Sequence, residues 1–376
     1  MSKRFLLFDM DGVLLEPGGY HEALVNSVER IGKALGAPNT TISSEQIARF
    51  EVLNITNEWD TLAICTALTL IHLWQISKTI RLDGTLTEAS PVTKEPPDFD
   101  TFLNAIGSGG DLPGEVALQY LIKKHTWLNT DQLAHLGDLL TKCRDIYHSL
   151  TLPAHQETVL GSRTFEAHYN LKSQMNLESF LTKYDRPILT EQQYQNFREW
   201  LDHPDHHAGI MTNRPSRNPP GFLSSPEAEL GIELIGFNDL PYVGSGILGW
   251  FAACHSQNQD FLFLKPNPVH TLTLLQRCLG KPMIESLQTA VSLWEGSGAF
   301  SDWEALDNGK VVIFEDSVKG LLSGQAACRL INALGIEIDY TLVGIAQNQM
   351  KINALAQVST YNFNTINQIN WFDIAK

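Results

Sequence analysis

Five short apolar runs recur along the chain, and most are broken off by polar or charged residues. They occupy positions 5–8 before Asp9, 208–211 before Thr212-Asn213, 261–264 before Lys265-Pro266, 311–314 before Glu315-Asp316-Ser317, and 341–346. Runs this short, apolar at nearly every position rather than at alternate ones, predict strands covered on both faces of a parallel sheet. Helical periodicity fills the intervals at 268–279 and 318–334. The alternation predicts a doubly wound, mainly parallel, Rossmann-like α/β sheet, whose right-handed crossovers gather all carboxyl-end loops at one edge.

Residues 16–205 follow a different rhythm. Leu24, Val25, Val28, Ile31 and Leu35 share one helix face, and further helices are predicted over 59–80, 115–128 and 130–150. A last helix starts at Thr190, with Gln193 three positions on as the partner in a capping box. Between them, residues 83–114 are rich in Pro, Gly, Ser and Asp and predict a long loop. The expected organisation is a Rossmann-like core of residues 1–15 and 206–376, interrupted by an inserted, mainly helical domain at 16–205. Smaller insertions are expected at 214–264 and 280–309, and no internal repeat is visible.

Composition narrows the class of partner. The chain has 376 residues, 43% apolar and 18% charged, and a net charge of −15. This suits a globular protein of more than one core and disfavours nucleic acid or an anionic membrane surface as partner. A phosphorylated small molecule remains compatible, because a divalent cation reverses the local field. The five cysteines (Cys65, Cys143, Cys254, Cys278 and Cys328) are scattered without a CxxC, as in reduced, cytoplasmic proteins. The N-terminus lacks the long apolar segment of a signal peptide. The longest apolar stretch, 62–76, is interrupted by Thr66, Thr69, His72 and Gln75 and falls short of the ~20 residues of a membrane span. A buried helix is expected there.

The candidate chemistry lies where the apolar runs end. Asp9 and Asp11 follow the first run directly, at the strand end where open α/β sheets bind ligands. Two carboxylates converging there repel unless a cation lies between them. Taken singly, the other strand ends would be unremarkable: Thr212-Asn213 a turn, Lys265 a solvated lysine, Glu315-Asp316-Ser317 a helix N-terminus. Together and in this order, Asp9-Met10-Asp11-Gly12-Val13, Thr212-Asn213, Lys265-Pro266 and Glu315-Asp316-Ser317-Val318-Lys319-Gly320 resemble the four motifs of the haloacid dehalogenase-like hydrolase superfamily. The likeness covers the N-terminal 15 residues and roughly 205–346, and leaves the insertion undescribed.

The resemblance implies roles. Asp9 would be the nucleophile that forms an aspartyl-phosphate, and Asp11 the acid that protonates the leaving alcohol and then the base that activates water. Thr212, with Asn213 nearby, would hold a phosphoryl oxygen, and Lys265 would offset the phosphate charge and order Asp9. Mg²⁺ would be bound by Asp9, by the backbone carbonyl of Asp11 and by Asp316, with Glu315 as a ligand or as partner to one. The inserted domain would be a cap that, with 83–114 and 214–264, selects a small phosphorylated substrate. Phosphomonoester hydrolysis is the favoured reaction. A β-phosphoglucomutase-like phosphomutase is second, and a non-catalytic member that binds a partner through its cap is the alternative of a different class. The triplet His203, His206 and His207 reads as a polar loop. Asp83-Gly84-Thr85-Leu86 imitates part of the first motif, but Arg81 stands where a nucleophile would be, so Asp83 reads as a loop residue. Neither substrate nor oligomeric state is legible.

Overall fold

The computed structural model describes residues 2–220, 222–255 and 263–374. The chain divides into two compact units, Met1–Pro17 with Asp185–Lys376, and Gly18–Tyr184.

The first unit is built on six parallel strands: β1 (Arg4–Phe8), β4 (His206–Met211), β5 (Tyr242–Val243), β6 (Gly309–Glu315), β7 (Ile338–Ile345) and β8 (Tyr361–Phe363). A separate antiparallel pair joins β2 (Leu15–Glu16) to β3 (Arg186–Pro187). The six-stranded order is β5-β4-β1-β6-β7-β8, a Rossmann-like α/β arrangement in which winding reverses beside β1. Alternation along each strand splits its side chains between two cores. Phe5, Leu7, Val311 and Ile313 pack on one face, among helices that include Val269–Cys278 and Val318–Ala333. Leu6, Phe8, Val312 and Phe314 pack on the other, with Phe197, Phe237 and Trp371. Burial on both faces is why the central positions of these strands are apolar without alternation.

Register matters most for the site. Phe8 of β1 lies opposite Ile210 of β4 and Phe314 of β6. The three central strands therefore end level, and Asp9, Met211 and Glu315 emerge side by side. The Asp9 amide extends the ladder by donating to the Phe314 carbonyl at 2.9 Å.

Several expectations for this unit need correction. The strand predicted at 261–264 is not formed at Phe263 and Leu264, which lie in a turn, and positions 261–262 fall outside the described residues. Lys265 instead reaches the site from the loop that leads into helix Val269–Cys278. The edge strands β5 and β8 carry no apolar run that would reveal them. Finally, residues 185–205, expected in the insertion, belong to the sheet unit. Helix Glu191–Leu201 is capped by Thr190, which accepts from the Gln193 amide. It buries Phe197 and Trp200 against the sheet, with Phe197 5.6 Å from the Phe8 ring. The Gln193 side chain does not close the capping box but donates to the Asn367 carbonyl at 2.8 Å. His206 and His207 begin β4 rather than lying in a loop, stacked on Trp200 and Phe5 respectively.

The second unit is helical and has its own core. Its axis is helix Glu58–Trp74, buried at fourteen positions from Asp60 to Trp74. It packs against Gly19–Ala34, Pro113–Lys124 and Thr130–Thr141. The predicted 59–80 helix ends at Trp74 because the chain folds back there, the Trp74 indole N–H donating to the Ile80 carbonyl at 2.7 Å. The predicted 130–150 helix likewise stops at Thr141. Residues 83–114 are not wholly loop: helix Phe99–Ala105 forms within them, started by Asp98 accepting from the Thr101 amide. Asp83 is a turn residue that accepts from the amide and hydroxyl of Thr85. Among the described residues no helix is long and apolar enough to cross a membrane.

Candidate active site

Asp9 is the first residue past β1, and a tight turn follows. The Leu14 and Leu15 amides both donate to the Met10 carbonyl, and the Gly12 amide donates to that of Leu15 at 2.7 Å. Gly12 has φ +76°, and a Cβ there would lie 2.5 Å from the Asp316 carboxylate. Only glycine serves at this position, for both reasons.

Lys265 is the centre of charge. Its ammonium donates to Asp9 Oδ1 at 2.7 Å and to the Met211 carbonyl at 3.0 Å, and lies 2.6 Å from Glu315 Oε1. Glu315 is fully buried at the end of β6, and its other oxygen accepts from the Ser317 hydroxyl. Burial, followed by the neighbouring Glu315 carboxylate, pushes Asp9 well above the usual carboxylate range, against the pull of Lys265. Burial raises Glu315 as well, opposed by Lys265. Burial alone would lower the Lys265 ammonium, but Asp9 and Glu315 outweigh it and hold it raised.

Asp316 completes a cluster in which Asp9, Glu315 and Asp316 each bring a carboxylate oxygen within 4.8 Å of the others. Asp316 also pairs with Lys351 from helix Gln349–Leu355. An all-oxygen set of three carboxylates suits a hard divalent cation such as Mg²⁺ and not the softer metals held by His or Cys. Ser317 caps helix Val318–Ala333 by accepting from the Gly320 amide. At Gly320 an added Cβ would fall 1.9–2.1 Å from the Glu315 carboxyl atoms. Gly320→Ala is therefore expected to cost about 1–3 kcal/mol or more by overpacking, read as a lower denaturation midpoint in urea.

Thr212 is buried. Its amide donates to the Val243 carbonyl and its hydroxyl oxygen accepts from the Arg214 amide at 3.0 Å, an arrangement in which the hydroxyl can still donate to a ligand. Asn213 is exposed.

Asp11 stands apart from the three clustered carboxylates, and its partner is one that motif reading passed over. Arg214 grips it in a fork, Nε to Oδ2 at 2.9 Å and Nη2 to Oδ1 at 2.5 Å. The same Nη2 lies 2.8 Å from Asp185, whose side chain is fully buried. Lys351, paired with Asp316, and Asp185 carry no motif that marks them in the sequence. Arg214 follows Thr212-Asn213 directly, so its position in the chain was the one available signal.

The fold is similar to an X-ray structure solved as Northeast Structural Genomics Consortium target ZR25, with a TM-score of 0.68 at 15% identity over 98% of this chain and 97% of that one. Phosphatase Tt82 from Thermococcus thioreducens aligns over 94% of this chain and 99% of its own, at 15% identity and a TM-score of 0.43. At these values the first likeness concerns fold alone, and the second carries no weight for activity. No protein-family model and no curated protein matches the chain.

Proposed function

We propose that this chain is a Mg²⁺-dependent phosphomonoester hydrolase of the haloacid dehalogenase-like kind, acting on a small phosphorylated metabolite through an aspartyl-phosphate on Asp9. The observation that carries this reading is the Lys265 ammonium placed between Asp9 and Glu315 at 2.7 and 2.6 Å, with Asp316 beside them. A scaffold gains nothing from burying two carboxylates on one lysine at a strand end. An enzyme that must bring a phosphate dianion to a carboxylate does.

Asp9 and Asp316 are the carboxylates that would hold Mg²⁺, together with the Asp11 backbone carbonyl. Glu315, fully enclosed and committed to Lys265, serves better as that lysine's partner than as a ligand. When bound, the cation would offset charge on the phosphoryl oxygens. Asp9 Oδ attacks phosphorus while the bond to the ester oxygen breaks, and Asp11, as general acid, gives a proton to the departing alkoxide. Water then attacks the aspartyl-phosphate, Asp11 takes the proton, and Asp9 and inorganic phosphate are released. Throughout, Lys265 keeps Asp9 fixed and the Thr212 hydroxyl donates to a phosphoryl oxygen.

The test is phosphate release from sugar, nucleotide and amino-acid phosphates. Release that chelation abolishes and Mg²⁺ restores is expected with at least one of them. Absence of release above the Asp9→Asn variant across the panel would overturn the reading, and isomerisation of a hexose phosphate without net release would replace it with a phosphomutase. Asp316→Asn is expected to weaken Mg²⁺ binding by about tenfold or more, measured by titration calorimetry without substrate.

A further inference from the structure

Arg214 is buried for no reason that the phosphate or the cation supplies. Its side chain is 2% exposed and its fork engages both oxygens of Asp11. Behind it, Asp185 shares the Nη2 group at 2.8 Å and is itself without exposure. The backbone of Arg214 is tied on both sides: its amide donates to Thr212 Oγ1, and its carbonyl accepts from the Ser245 amide at 2.9 Å. A flexible, charged side chain is thus held by the loop that carries Thr212 and by a buried carboxylate.

Resting on the phosphatase reading, we propose that Arg214, locked in place by Asp185, is the positioning residue that aims Asp11. A fork of two parallel N–H donors fixes both the place and the plane of a carboxylate, which a single lysine cannot do. Asp11 must reach the leaving oxygen in one half-reaction and the incoming water in the next, and both lie on the same line through phosphorus. Misaiming it by about 1 Å costs on the order of 10²-fold. Arg214 touches neither reacting atom. Its contribution is the orientation of Asp11, with Asp185 paired to the same Nη2 that donates to Asp11 Oδ1.

Arg214→Ala alone would take a charged partner from the buried Asp185 and destabilise the chain. The test therefore combines Arg214→Ala with Asp185→Asn, so that no buried charge is orphaned, and compares it with Arg214→Lys. With a small ester such as p-nitrophenyl phosphate and saturating Mg²⁺, the double variant is expected to lose about 10²-fold in kcat with KM nearly unchanged, while its circular dichroism stays that of the wild type. Guanidinium added at concentrations far below those that unfold proteins should restore at least about tenfold, by refilling the fork. Arg214→Lys should fall between, since it keeps the charge and loses the second bond. Unchanged kcat, or a loss that guanidinium does not rescue in a folded variant, would overturn the inference and leave the phosphatase reading standing. A wild type with no Asp9-dependent release would overturn both.

Discussion

Asp9→Asn is expected to abolish phosphate release, lowering kcat by on the order of 10⁴-fold or more, because the amide is no nucleophile and no neighbour can replace it. The same substitution should stabilise the metal-free chain. Asp9 is buried beside Glu315, and its carboxyl is held well above the range of an unfolded chain. A raised folded value means that the native state binds this proton more tightly than the unfolded state does. Stability from this group is therefore complete below the unfolded value, near 4, and is lost as pH rises through the folded value. Wild type and variant should unfold alike in acid and diverge toward neutral pH, with the variant the more stable of the two. Mg²⁺ should reverse the order, because it stabilises only the chain that keeps its ligand. Thermal denaturation with and without Mg²⁺ across this pH range checks both signs. Equal stability of the two metal-free chains at neutral pH would show that Lys265 already neutralises Asp9 in full.

Lys265→Met is expected to produce the largest loss of stability of any single change in the site. The ammonium is the partner of Asp9 at 2.7 Å and of Glu315 at 2.6 Å, and Glu315 has no access to water. Removing one member of a buried ion pair costs about 3–5 kcal/mol, most of it the charge left behind. Activity should also drop, by about 10²–10³-fold, since the fixed positive charge next to the phosphoryl group is lost. The two effects separate in a double variant. Lys265→Met with Glu315→Gln removes the orphaned carboxylate, so denaturation in urea should recover most of the stability while phosphate release stays low. Recovery of both together would assign Lys265 a structural role only.

Much of the sheet was legible because it is covered on both faces. Burial on both sides demands apolar residues at every position, and that demand leaves unbroken runs at β1, β4, β6 and β7. The short edge strands β5 and β8 face no such demand and left no run. Helix Glu191–Leu201 has the cap and periodicity of any amphipathic helix, so its sequence does not set it apart from the helices of the insertion. Only its burial of Phe197 and Trp200 places it with the sheet. Helix Phe99–Ala105 was hidden by the Pro- and Gly-rich composition around it.

The site divides along the same line. Chain order alone determined which residues end the strands, and hence that Asp9, Thr212, Glu315 and Asp316 belong to one edge, because parallel strands with right-handed crossovers must end together. Which side chains then bond is a matter of register and rotamer. Lys265 reaches Asp9 across 256 positions of sequence, and Arg214 reaches Asp11 across 203. Asp185, Lys351 and Arg214 carry no local mark of their roles, being ordinary charged residues until the fold closes. Tertiary structure decided that Asp11 is held by a buried guanidinium while Asp9 is held by a buried ammonium. The reason is physical: pattern encodes burial along one strand, whereas a partner for a buried charge exists only once separate segments share the same low-dielectric space.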